Sequence, residues 1–187
     1  MTEPSNDPAA PTPPDDAPVD PLLVAAVDTE RHVALAGWDQ SPRLFALVRT
    51  ATLAEREPQL RAQLGETVSP DGYTAIEQEN LPDTSNLESM LGRLAWPEEV
   101  DGAALSVERI VVPPEAERDL PDDPDAAMQR LSEHPDRQDV RLLVAVLRGG
   151  DSTCLLRQRA HDSDDEVATG RDIAPGLLHA LAATLAD

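Results

Sequence analysis

Apolar positions along this chain fall into runs that switch between two periods. After Asp20-Pro21, Leu23, Val27 and Ala34 share a helical face, with Leu22, Ala26 and Val33 beside it. Asp20 is placed to cap this helix, Pro21 suits its first position and Gly37 supplies the stop. "RLFALVRT" (43–50) has an apolar centre between arginines and predicts a strand covered on both sides. "TLAEREPQLRAQLG" (52–65) returns to helical spacing through Leu53, Leu60 and Leu64. Thr52 and Glu55 have capping-box spacing, Gly65 is a stop, and Pro58 predicts a kink or short break. "GYTAIEQE" (72–79) alternates and predicts a strand with one wet face.

The second half repeats the alternation. "SNLESMLGRLAWP" (85–97) places Leu87, Met90, Leu91 and Leu94 on one helical face, with a capping box at Ser85 and Glu88. Asp101-Gly102 turns into the strand 103–112. A proline-rich acidic loop, 113–125, feeds a short helix capped by Asp123, with Ala127, Met128 and Leu131 expected to face inward. "DVRLLVAVLR" (139–148) is apolar on both faces and should lie centrally. Gly149-Gly150 turns it back into 152–159, and Pro175 opens a last helix with Leu178, Leu181 and Leu185 in line. The pattern predicts an α+β fold: a mixed, mainly antiparallel sheet of about five strands flanked by helices, formed by residues 20–187 as a single domain. Residues 1–19 hold six prolines and no basic or aromatic residue, so a disordered Pro/Asp-rich tail is expected.

Composition narrows the function. The net charge is −21, and all 15 basic residues are arginine. Such a field repels phosphate backbones and anionic membranes, which argues against nucleic acid as a partner and favours a basic protein segment. Four aromatic residues, Trp38, Phe45, Tyr73 and Trp96, are too scattered to build a base-stacking platform. Without lysine, a P-loop and lysine-bound pyridoxal phosphate are excluded, and no cofactor is expected. Cys154 stands alone, so it can form neither an intramolecular disulfide nor a cysteine zinc cluster, and is read as a small buried hydrophobe. No apolar run approaches the roughly 18 residues of a membrane span, so no membrane insertion is expected. The N-terminal residues lack the pattern of a secretory signal, and a cytoplasmic location is expected.

Candidate chemistry is sparse. "SEHPDRQDV" (132–140) gathers His134, Asp136, Arg137 and Asp139 at a helix-to-strand junction, where imidazole and carboxylate together could do acid–base work. A plain structural reading competes, because His at a helix end is favoured by the dipole and Pro135 is a stop signal. Glu77 and Glu79 share a strand face, and Glu77 and Trp96 could join the junction residues in space. His32 lies four after Asp28, a helix-surface pair. Asp162, Asp164 and Asp165 crowd into an acidic loop and are weak metal candidates. Counted from Asp162, an EF-hand would need Gly and Glu where Val167 and Ile173 stand, so a solvated loop is the expected reading.

Trp96-Pro97, Asp101-Gly102-Ala103-Ala104 and the stretch from His134 to Asp139 are where the chain resembles an uncharacterised actinobacterial family of small acidic α/β proteins of unknown function. The resemblance covers roughly residues 20–186. It implies a bacterial cytoplasmic protein with a sheet-and-helix fold, and implies no activity. The preferred expectation is a non-enzymatic cytoplasmic interaction module with an acidic surface. The alternative is a small-molecule- or metal-binding protein or enzyme using the polar 134–139 junction. Oligomeric state stays open.

Overall fold

The structure is a computed structural model that describes residues 18–59, 62, 69, 71–79, 81 and 86–186. Asp20 caps the first helix, α1 (Pro21–Ala34), by accepting the Leu22 N–H at 2.9 Å. β1 (Arg43–Arg49) follows, then α2 (Thr50–Arg56) and β2 (Tyr73–Glu77). Next come α3 (Leu87–Leu91) and β3 (Gly102–Val111). Two short helices, α4 (Pro114–Glu117) and α5 (Pro124–Ser132), lead to the long strand β4 (Gln138–Leu147). β5 (Ser152–Gln158), a 3-10 turn (Asp164–Glu166), β6 (Ala168–Thr169) and α6 (Pro175–Ala183) complete the described chain.

The strands form one sheet in the order β2-β1-β3-β4-β5-β6. Every neighbouring pair is antiparallel, so the α+β expectation stands, with six strands among the described residues instead of about five and no parallel pair among them. The sixth strand is two residues long, too short to leave a periodic signal in the sequence. β4 sits inside the sheet and alternates between two cores, as an unbroken apolar run should. Val140, Leu142, Val144 and Val146 meet Leu178, Leu181 and Leu185 from the last helical segment, together with Met90 and Leu91 of α3. Leu143 and Ala145 point the other way, to Phe45, Leu47, Leu155 and the α1 stripe of Leu22, Ala26 and Val33. Gly102 is required where it stands: an added Cβ would lie 2.4 Å from the Val146 carbonyl oxygen.

Several local expectations change. α2 begins at Thr50, with Arg49 as its cap residue, so Thr52 lies inside the helix and caps nothing. It ends at Arg56, before Pro58, where the break was expected. α3 is shorter than its apolar pattern. Asn86 caps it by accepting the Ser89 N–H at 2.7 Å, and Leu87 and Leu94 only flank the core. Met128 is 58% exposed, because α5 buries no residue and packs on the sheet only lightly, chiefly against β3. The expected tail 1–19, apart from its last two residues, lies outside the described residues, as do Leu60, Leu64, Gly65 and Ser85. Among the described residues no helix is long and apolar enough to cross a membrane.

Candidate functional site

Strand alternation carries charges to the α1 face of the sheet. Glu108 of β3 stands opposite Arg141 of β4, and Arg141 opposite Arg157 of β5. These three are in line with the core positions Leu143 and Leu155, so the two arginines are buried, at 1% and 2% exposure. A buried guanidinium requires counter-charges and acceptors. Arg157 finds them on α1: its Nε and Nη2 donate to both Glu30 carboxylate oxygens at 2.6 and 2.7 Å. Glu30 is itself buried and continues the Leu22–Ala26 stripe. Arg157 also donates to Asp162 at 3.1 Å and to Asp164 at 2.7 Å. The Glu30 hydrogen bonds, above all, hold Arg157 well above its usual value.

The loop after α1 closes over this row. Gly37 and Asp39 both adopt positive φ, at 82° and 65°, which turns Trp38 back over the sheet. Arg141 stacks on the Trp38 ring at 4.4 Å and Arg159 at 5.5 Å. The Trp38 Nε1–H donates to Asp162 Oδ2 at 2.9 Å, and this bond leads the causes holding the Asp162 carboxyl below its usual range. The Asp39 N–H donates to Glu108 Oε2, while Arg159 grips the Asp39 carboxylate with two hydrogen bonds, at 2.9 and 2.7 Å. Arg141 donates to Glu108 Oε1 at 2.9 Å and to the Gly37 carbonyl, and its Nε and Nη1 have no acceptor among the described residues. The acidic loop is therefore more than a solvated turn. It supplies two of the carboxylates that neutralise Arg157, and Arg31 adds a contact to Asp164 at 3.5 Å.

The residues singled out from sequence fall into separate places. His134 accepts the Asp136 N–H on Nδ1 at 3.1 Å, and both line a groove of about 400 Å³ between α4 and α5. Arg137 lies 3.8 Å from Asp139, which also faces Arg159 at 3.7 Å. Trp96 donates to Thr184 Oγ1 at 2.9 Å, and its carbonyl accepts from Arg148, just past the far end of β4. His134 precedes the near end of that ten-residue strand. At ~3.3 Å per residue the two are about 30 Å apart, and the groove lined by His134 does not include Trp96. Glu77 is at a third place, on the sheet edge, held by two hydrogen bonds of 2.6 Å from Arg43 that lower its carboxyl below the usual range. His32 contacts Arg43 and Glu77 instead of Asp28. Asp162 and Asp164 are occupied by Arg157, and Asp165 lies on the adjoining 3-10 turn. Among the described residues no three His, Cys, Asp or Glu side chains converge as a metal site. Cys154 is fully buried, which pushes its thiol up to about 11.

One carboxylate-rich segment is left outside these pairings. From Glu115 to Asp136 the chain carries eight carboxylates and two arginines. None of those eight acids forms an ion pair among the described residues. Three of them, Glu115, Asp119 and Asp136, line the α4–α5 groove together with Leu120, Leu131, Arg130 and His134.

Sheet, helices and charge pattern together define an α+β protein built on an antiparallel sheet, with an arginine-clasped corner and an acidic groove. The chain belongs to the PPA1309-like protein family, whose model matches residues 22–186, from the first turn of α1 to beyond α6. No curated protein and no solved structure matches it.

Proposed function

We propose that this protein is a non-enzymatic interaction module that docks a basic, amphipathic segment of a partner protein on the acidic segment between β3 and β4. The observation that carries this reading is the set of unpaired carboxylates around the α4–α5 groove. Elsewhere several carboxylates are taken up by arginines, as at Glu30, Glu77 and Asp39. Here Glu115, Asp119 and Asp136 line the groove with Leu120 and Leu131, against a single arginine, Arg130. A helix with lysine or arginine on one face and leucine on the other complements that lining. The net charge of −21 accelerates encounter with such a segment and repels nucleic acid.

The test is affinity capture from the source cells with the wild-type chain and with the triple variant Glu115→Gln/Asp119→Asn/Asp136→Asn. A basic protein should be retained at low salt by the wild type, released as salt rises, and lost from the triple variant. Identical capture by both chains would overturn the proposal.

A further inference from the structure

The two edges of the sheet differ. β6 offers two residues, whereas β2 offers five, with no proline and no basic residue to guard it. The ladder fixes which β2 groups point outward. The Thr50 N–H donates to Gly72 O at 2.9 Å, and the Gln78 N–H to Leu44 O at 2.8 Å. With the register of β1 and β2, these two bonds assign Thr74 and Ile76 to β1 as well. The N–H and C=O groups of Tyr73, Ala75 and Glu77 therefore point away from β1, and none has a partner among the described residues.

The side chains of the same three residues face α1. Beside them runs a cleft of about 310 Å³ floored by Ala25, Phe45 and Ala75. Asp28 on the α1 wall has no ion-pair partner among the described residues, and Glu77 stands on the β2 wall. Arg43 uses one lone pair on each Glu77 oxygen, which leaves that carboxylate able to accept more.

We propose that the outer edge of β2 and the cleft beneath α1 form a strand-addition site for an extended basic segment of a partner protein. An added antiparallel strand satisfies the six vacant backbone groups and drops every second side chain between Asp28 and Glu77. An arginine or lysine matches that space: its stem lies on the apolar floor and its charge meets the two carboxylates. The chain's own first 19 residues do not suit the edge, because they hold six prolines and no basic residue. A second copy would set one chain of charge −21 against another. This site is separate from the α4–α5 groove, and either can fail alone.

The experiment uses the full chain and a fluorescein-labelled nonapeptide of alternating arginine and valine, followed by fluorescence anisotropy. Backbone N-methylation of the peptide at alternate residues, on the edge that faces β2, should weaken binding about tenfold, and on the other edge should change it little. Ala75→Pro should give a similar loss, since its N–H points outward and is not used by β1. Asp28→Asn should weaken binding several-fold, and Glu115→Gln/Asp119→Asn/Asp136→Asn should leave the protection of the Tyr73, Ala75 and Glu77 amides in place. Amide exchange reads the same site without any variant: the peptide should protect the Tyr73, Ala75 and Glu77 amides. Equal binding by all peptide forms, or no protection of those amides, would overturn the proposal. So would a dimer of the chain alone that Ala75→Pro dissolves, because the occupant would then be a second copy.

Discussion

The arginine-clasped corner and the α4–α5 segment are both rich in carboxylates, and they treat them in opposite ways. At the corner, Glu30, Asp39, Glu108, Asp162 and Asp164 each meet a guanidinium, two of those guanidiniums being buried. Between β3 and β4, eight carboxylates meet none among the described residues. Acid at the corner answers a need created by the fold, because alternation along β4 and β5 aims Arg141 and Arg157 into the α1 face. Acid on the segment answers no such need. Residue type alone does not separate these roles; the location of the nearest arginine does.

The largest expected effect of breaking this contrast is at Glu30. Glu30→Ala leaves Arg157 buried with only the half-exposed Asp162 and Asp164, and should cost about 3 kcal/mol by urea unfolding. Trp38→Ala should come next, at about 1–3 kcal/mol, since it removes the ring stacked on Arg141 and Arg159 and the donor to Asp162. Acid sharpens the same contrast. Asp162 and Glu77 are held below their ordinary range, so their stabilisation is complete above the unfolded-chain value of about 4 and is lost as pH falls through the lower folded value. The thermal midpoint should fall between about pH 5 and about pH 3, and fall less in Asp162→Asn. The smallest stability effect belongs to the segment: Glu115→Gln/Asp119→Asn/Asp136→Asn should stay within about 0.5 kcal/mol of wild type.

Much of the frame could be read from spacing. The unbroken apolar run of β4, the Leu178–Leu181–Leu185 stripe, and the caps at Asp20 and Asp123 all appear where local pattern places them. Local pattern failed where partners are distant. Arg157 and Glu30 are 127 residues apart, and Trp38 and Asp162 are 124 apart, so neither pairing leaves a local mark. A partial signal existed: Glu30 falls on the Leu22–Ala26 stripe, and Arg141 interrupts an apolar strand. A charge at a core position announces a distant counter-charge without naming it. Of the residues singled out from sequence, His134 and Asp136 share a groove, but Trp96 and Glu77 lie elsewhere. The acidic loop was the opposite case. It reads as solvent-facing by composition, yet folds back onto Arg157 because that arginine is buried beneath it.

The most direct test of the contrast is partner capture at low salt with three chains side by side: wild type, Asp39→Asn at the corner, and Glu115→Gln/Asp119→Asn/Asp136→Asn on the segment. The expected result is a basic protein retained by wild type and Asp39→Asn and lost from the triple variant. Retention by the triple variant, or loss with Asp39→Asn alone, would contradict the division of labour between the two acidic regions.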